Sequence, residues 1–181
     1  MPPTSLQTFI DQVRSDWGPL TSERVAARRE HLLALLRAAP SETWLGGLLS
    51  RAPASEELHR DPDFGFVLLA HAEQAGLYRP PHDHGRSSVI YAIQHGEIEM
   101  RTYGRIEDAD GRVRLVQRDS RVIRAGGAEV YLPGDIHDTR CLSHSALLFR
   151  FTERDLKVED RLEHRVTRYA EHDGDWAPAS R

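Results

Sequence analysis

The segment PPHDHGRSSVIYAIQHGEIEM, residues 80–100, decides how the chain is read. His82 and His84 stand one residue apart behind Pro80 and Pro81, followed by an apolar run over 89–95, Gly96, and an alternating run over 97–103. In an extended chain, residues two apart share a face, so His82 and His84 aim at one point while Asp83 turns away. Imidazole is the commonest protein ligand for zinc, copper, iron and nickel. A third ligand is expected from LPGDIHDTRC, residues 132–141, where Pro133-Gly134 makes a tight turn and His137 opens the next strand. An antiparallel barrel brings that strand beside the first. Three histidines on neighbouring strands then form one face of a coordination sphere and leave the other face open to substrate.

Outward from this segment the pattern is one of short strands. Apolar or alternating runs fall at 64–71, 112–118, 122–124, 128–132, 138–142 and 146–152, and EDADG at 107–111 is a hairpin turn signal. Many short strands at even spacing predict a sandwich or barrel. The first third is different. Leu6, Phe9, Ile10, Val13 and Trp17 recur at helical spacing behind Thr4 and Ser5 as caps, and Gly18-Pro19 stops that helix. Val25, Leu32, Leu33 and Leu36 mark a second helix over 22–39, ended by Pro40. Ser41 is expected to cap a third that carries Trp44, Leu45, Leu48 and Leu49. The expected organisation is a helical segment over 1–57 closing in a linker at 51–57, a barrel over 58–152, and a charged surface tail over 153–181.

Composition sets the outer bounds. A chain of 181 residues with 39% hydrophobic content suits one domain with a sizeable core. A formal charge of −4 gives no footprint for nucleic acid. No apolar run reaches bilayer length, and the first residues lack a basic-then-apolar leader pattern. Cys141 is the single cysteine, which excludes an internal disulfide and points to a reducing cytoplasm.

The two histidine segments resemble the cupin motifs. Gly76, His82, His84 and Gly96 fall on the fixed positions of the first motif; Gly127, Pro133, Gly134 and His137 fall on those of the second, with one residue fewer between proline and glycine. The resemblance covers residues 60–152 and implies a mainly β fold, a cupin double-stranded β-helix or jelly-roll barrel, with the helical segment in front of it. The cupin glutamate position is taken by Val89, which has no ligand atom. A three-histidine site without the carboxylate is similar to that of the thiol dioxygenases, the cysteine and 3-mercaptopropionate dioxygenases. So are the helices before the barrel and the phrase PPHDHG. That resemblance implies Fe(II) on His82, His84 and His137, with O2 and a small organic thiol as reactants. The chain departs from those enzymes at their Ser-x-His-x-Tyr strand, where LLFRFTERDL stands, and at their crosslinking cysteine, where Val89 stands. It has the look of a divergent member.

Further residues carry two readings each. Arg60 lies near the arginine that grips the substrate carboxylate in cysteine dioxygenases, and is otherwise an ordinary solvated arginine. Tyr91 shares the strand face of Val89 and either donates a hydrogen bond to substrate or oxygen, or is a core tyrosine. In LLFRFTERDL, Leu147, Phe149 and Phe151 occupy one face and Leu148, Arg150 and Thr152 the other. Arg150 either faces the metal and grips a substrate carboxylate, or is solvated with the faces reversed. Cys141 reads as a buried, inert thiol, Glu97 and Glu99 as solvated, and His31, His59, His71, His95, His144, His164 and His172 as packed or solvent-facing.

The function expected from this reading is a non-haem Fe(II) dioxygenase of a small thiol, with nickel, zinc or another divalent ion also compatible with the donors. A cupin metalloenzyme acting on a non-thiol and a non-catalytic metal- or ligand-binding cupin are the alternatives. The expected partners are a small-molecule substrate and O2, with no nucleic acid or membrane, in a monomer or homodimer.

Overall fold

The computed structural model describes residues 2–179. Three helices lead: α1 (Ser5–Ser15), α2 (Ser22–Leu35) and α3 (Thr43–Arg51). The strands follow as β1 (Glu56–Arg60), β2 (Val67–Gln74), β3 (Tyr78–His82), β4 (Val89–His95), β5 (Glu97–Glu107), β6 (Val113–Arg124), β7 (Ala128–Tyr131), β8 (Ile136–Cys141) and β9 (Ser145–Thr152). A π-helical turn over Val158–Leu162 and a hairpin of β10 (Tyr169–His172) and β11 (Asp175–Pro178) complete the described chain. The strands form two antiparallel sheets in the orders β1-β2-β9-β4-β7 and β3-β8-β5-β6. Faced together, they make a double-stranded β-helix, a jelly-roll barrel that is mainly β with a helical segment before it.

The period of two in β4 and β9 builds two cores at once. Ile90 and Ala92, with Leu147, Phe149 and Phe151, face the helices and pack on Phe9, Val13, Leu32, Leu45 and Leu48. Val89, Tyr91 and Ile93, with Leu148, face into the barrel against Ile98, Met100, Tyr131 and Cys141. The helical segment is therefore a third layer on the barrel. Aromatic contacts lock it: Phe9 meets Phe151 edge-on at 6.1 Å and Trp44 meets Phe149 at 5.8 Å.

Several boundaries differ from the expectation. Thr4 caps α1 by accepting from Gln7 N at 3.1 Å, as expected, but the cap position of α3 is Glu42 and not Ser41. The Glu42 carboxylate instead accepts from Ser5 N, Ser5 Oγ and Trp44 Nε1, each at 2.9 Å, which ties α1 to α3. Helix α2 ends at Leu35, in a turn before Pro40. The expected linker at 51–57 is shorter, because β1 already pairs with β2 from Glu56. Strand β2 begins at Val67, three residues later than expected, because Phe64 stacks on Trp17 at 5.3 Å outside the sheet. The runs at 112–118 and 122–124 are one strand, β6, paired with β5 along its length past a bulge at Thr102/Tyr103.

The largest correction concerns the tail. Residues 153–179 do not simply lie on the surface. Glu159 and Tyr169 are buried, the β10-β11 hairpin packs Tyr169 and Trp176 on Tyr103 and Ile136, and Arg168 bridges to His82.

Candidate metal centre

Strand pairing brings the histidines together. β3 and β8 are neighbours, and their register sets His82 directly opposite His137. His84 lies two residues on, past the end of β3. Contrary to the expected strand alternation of the pair, His84 is placed by a loop and not by strand geometry. Asp83 does turn away, as expected, and accepts from Gly85 N at 3.0 Å and Thr167 N at 2.9 Å. The ring centroids of the three histidines lie 4.9–5.1 Å apart, and one nitrogen from each falls within 4.8 Å of the others. Among the described residues, these three form the one group of ligating side chains with metal-site spacing.

The donors suit a divalent ion. His82 Nδ1 lies 2.8 Å from Pro80 O; in that contact it donates, which leaves Nε2 with its lone pair free. His84 Nδ1 and both ring nitrogens of His137 are buried without a hydrogen-bond partner. Buried polar atoms of this kind normally have one, and a metal ion answers the need. Burial depresses the pKa of all three rings, His84 and His137 well below the ordinary imidazole value; Arg150 adds to it in each, and neighbouring histidines add to it in His84 and His137. Near neutral pH the three rings are neutral, the form that binds metal. Val89 is fully buried in the apolar interior and offers no ligand atom.

The outer face of β8 fixes His137. Asp138 points away from the barrel and accepts from Tyr103 Oη at 2.6 Å, Tyr78 Oη at 2.9 Å and Arg101 Nη2 at 2.7 Å. Those partners sit on β5 and β3, so a single carboxylate pins β8 to both neighbours.

A cleft of about 630 Å³ opens beside the histidines. Arg79, His82, His84 and Arg150 line it from the barrel, and Lys157, Arg161 and Arg168 from the C-terminal segment. Tyr91 Oη lies 3.3 Å from His84 Nε2, and its ring stands 5.2 Å from that of His137. Arg150 sits on the barrel side of β9, opposite Tyr91, so the open choice of faces is resolved: the phenylalanines meet the helices and Arg150 lines the cleft. Its Nε is buried without a partner.

Arg60 is corrected. It does not line the cleft; on β1 its guanidinium is taken up by Glu57, at 2.7 Å, and by Asp155. Glu97 and Glu99 face outward, toward Arg124 and Ser120. Cys141 is buried, its thiol pKa raised by that burial, and lies outside the histidine group. Sequence reasoning missed Lys157, Arg161 and Arg168, since nothing in a uniformly charged tail marks which of its charges return to the barrel. The one available signal was the pair Tyr169 and Trp176, aromatic residues that a solvated tail does not need.

No family model matches the chain, and no curated protein matches it. Solved structures with a similar shape include KdgF from Halomonas sp., at 20% identity and a TM-score of 0.44 over 55% of this chain and 77% of that one. The Schizosaccharomyces pombe Cnp3 cupin domain matches at 13% identity and a TM-score of 0.44 over 61% of this chain and 66% of that one. An oxalate oxidase matches at 22% identity and a TM-score of 0.43, over 56% of this chain and 51% of that one.

Proposed function

We propose that the chain is a mononuclear non-haem Fe(II) dioxygenase that converts a small thiol carboxylate, cysteine- or mercaptopropionate-like, to its sulfinate. The reaction balances as RSH plus O2 giving RSO2H, with both oxygen atoms going to sulfur. The observation that carries this reading is a face of three histidines, joined by no carboxylate among the described residues, opening on a cleft lined by an arginine whose Nε has no partner.

Iron on His82, His84 and His137 would lower the pKa of the thiol and hold thiol and O2 side by side. The same donors accept nickel, zinc or another divalent ion. The chain's own residues do the rest. Arg150 offers its guanidinium fork to the substrate carboxylate and so orients the thiol toward the histidines. The Tyr91 hydroxyl, close to His84, donates a hydrogen bond to the reacting sulfur or oxygen. Its pKa is raised, by burial above all, so the proton stays in place near neutral pH. The C-terminal segment narrows the cleft and limits water. Small-molecule substrate and O2 are the partners in this reading, with no nucleic acid or membrane role, in a cytoplasmic monomer or homodimer. Among the described residues, no helix is long and apolar enough to cross a membrane.

The test is O2 uptake by purified, Fe(II)-loaded protein against a panel of thiol acids, their amides, and non-thiol acids. Uptake with a thiol acid and a sulfinate product supports the proposal. Uptake with a non-thiol alone assigns another oxygenase chemistry, and bound metal with no turnover assigns a binding function.

A further inference from the structure

The loop that bears His84 is gripped from outside by the C-terminal segment. Asp83 N donates to Thr167 O at 3.0 Å, and Thr167 N returns a bond to Asp83 Oδ1 at 2.9 Å. Arg154 N donates to Ser87 Oγ at 3.1 Å, and Ser88 Oγ donates to Glu153 Oε2 at 3.1 Å. At the centre lies Glu159. Its side chain is 2% exposed, and its Oε2 accepts from Arg86 N at 3.0 Å, two residues after His84. Two guanidiniums flank it loosely, Arg86 at 3.7 Å and Arg154 at 3.9 Å. The approach favours glycine at 85: a Cβ there would stand 2.7 Å from Glu159 Oε2, and the backbone has φ +60°.

A buried carboxylate is costly unless it is paired and hydrogen-bonded. Surface anchoring of a tail does not need one. Here it ends on a backbone amide of the ligand loop. We infer that Glu159 is a positioning residue for the metal centre, holding loop 82–88 so that His84 stays aimed at His82 and His137. This rests on the metal-site reading above. Partners of this outer kind typically change metal affinity by roughly 10- to 100-fold.

The test uses the full chain and Co(II), competed against a fluorescent chelator, with thermal unfolding measured in parallel. Glu159→Ala should still unfold cooperatively and bind Co(II) at least about tenfold more weakly. Glu159→Gln keeps an acceptor for Arg86 N and should fall between it and the wild type. Glu163→Ala is the control. That acid pairs with the Arg86 and Arg165 side chains and not with the loop backbone, and its loss should leave affinity unchanged. Wild-type affinity in Glu159→Ala, or an equal loss in Glu163→Ala, overturns the inference. Where Glu159→Ala does not fold, Glu159→Asp, a methylene shorter, draws the carboxylate back from Arg86 N and should show the tenfold loss; wild-type affinity there overturns the inference too. A wild-type protein that binds no Co(II) removes the metal-site reading and this inference with it. Tight wild-type binding with an unaffected Glu159→Ala removes the inference alone.

Discussion

Tyr91 and Arg150 are directly opposed across the β4–β9 pair, on the inner face of the barrel. The phenol lies beside the guanidinium on one side and 3.3 Å from His84 Nε2 on the other. Strand register thus sets a positive group beside a hydrogen-bond donor, and the loop after β3 brings His84 to the donor's other side. Slipping either strand by one residue would turn its own member of the pair toward the helices and break the opposition. The register is defended by Phe149 and Phe151, whose burial against the helices forces Arg150 inward.

Arg150→Met should keep the metal while KM for a thiol acid rises by roughly 10- to 100-fold, the worth of one charge-assisted hydrogen bond. The amide of the same substrate should change far less. Steady-state kinetics on the acid and amide pair check it; unchanged kinetics on the acid would show that Arg150 has no part in binding.

Tyr91→Phe removes the hydroxyl and little else. Metal content should persist, and kcat should fall on the order of 10²-fold, the usual loss for one hydrogen-bond donor aimed at a reacting group. An unaltered kcat would make Tyr91 a core residue.

His82→Ala, His84→Ala and His137→Ala should each lose most bound metal, because two imidazoles leave the facial set incomplete. His95→Ala and His144→Ala, outside the group, should retain it. Elemental analysis of the five proteins decides the matter, and full occupancy in the His137 variant would rule out the three-histidine site.

The helices belong to the barrel's stability. Phe149 is fully buried between β9 and the helical layer, and Phe149→Ala should cost about 3–5 kcal/mol in urea unfolding. Leu162, at 74% exposure, should change stability by no more than about 0.5 kcal/mol when cut to alanine. Two separate unfolding transitions in the wild type would contradict a shared core.

What was legible in the sequence follows from how local each signal is. Strand β4 was read with its bounds, because five apolar residues in a row between Ser88 and Gln94 leave no other solution. Gly96 marked the next turn correctly: its φ is +85°, and a Cβ would stand 2.5 Å from Ser145 O. Both faces of β9 could be listed, but only the three-dimensional position of the helices says which face is inside. The grouping of His82, His84 and His137 was readable because motif spacing carries it. The occupation of Arg60 by Asp155 was not, since it joins residues 95 apart through a tail with no periodicity.

The environment of His71 turns a packed histidine into a pH liability. It is 8% exposed on β2, with Nδ1 3.2 Å from Ala54 O. Burial, and then the positive charges of Arg150 and Arg79, push its pKa down from 6.5 to about 3. The folded protein therefore binds this proton less readily than the unfolded chain. The contribution of neutral His71 to stability is fully present above pH 6.5 and is lost as pH falls from 6.5 toward 3. At about 1.4 kcal/mol per unit, lowering the pH to 5 should remove about 2 kcal/mol through this residue. Urea unfolding of the wild type and of His71→Leu at pH 7.5 and pH 5 measures it. The variant should lose about 2 kcal/mol less than the wild type between the two values, whatever its starting stability. Equal losses in the two proteins would show that His71 takes up its proton in the folded state as easily as in the unfolded one.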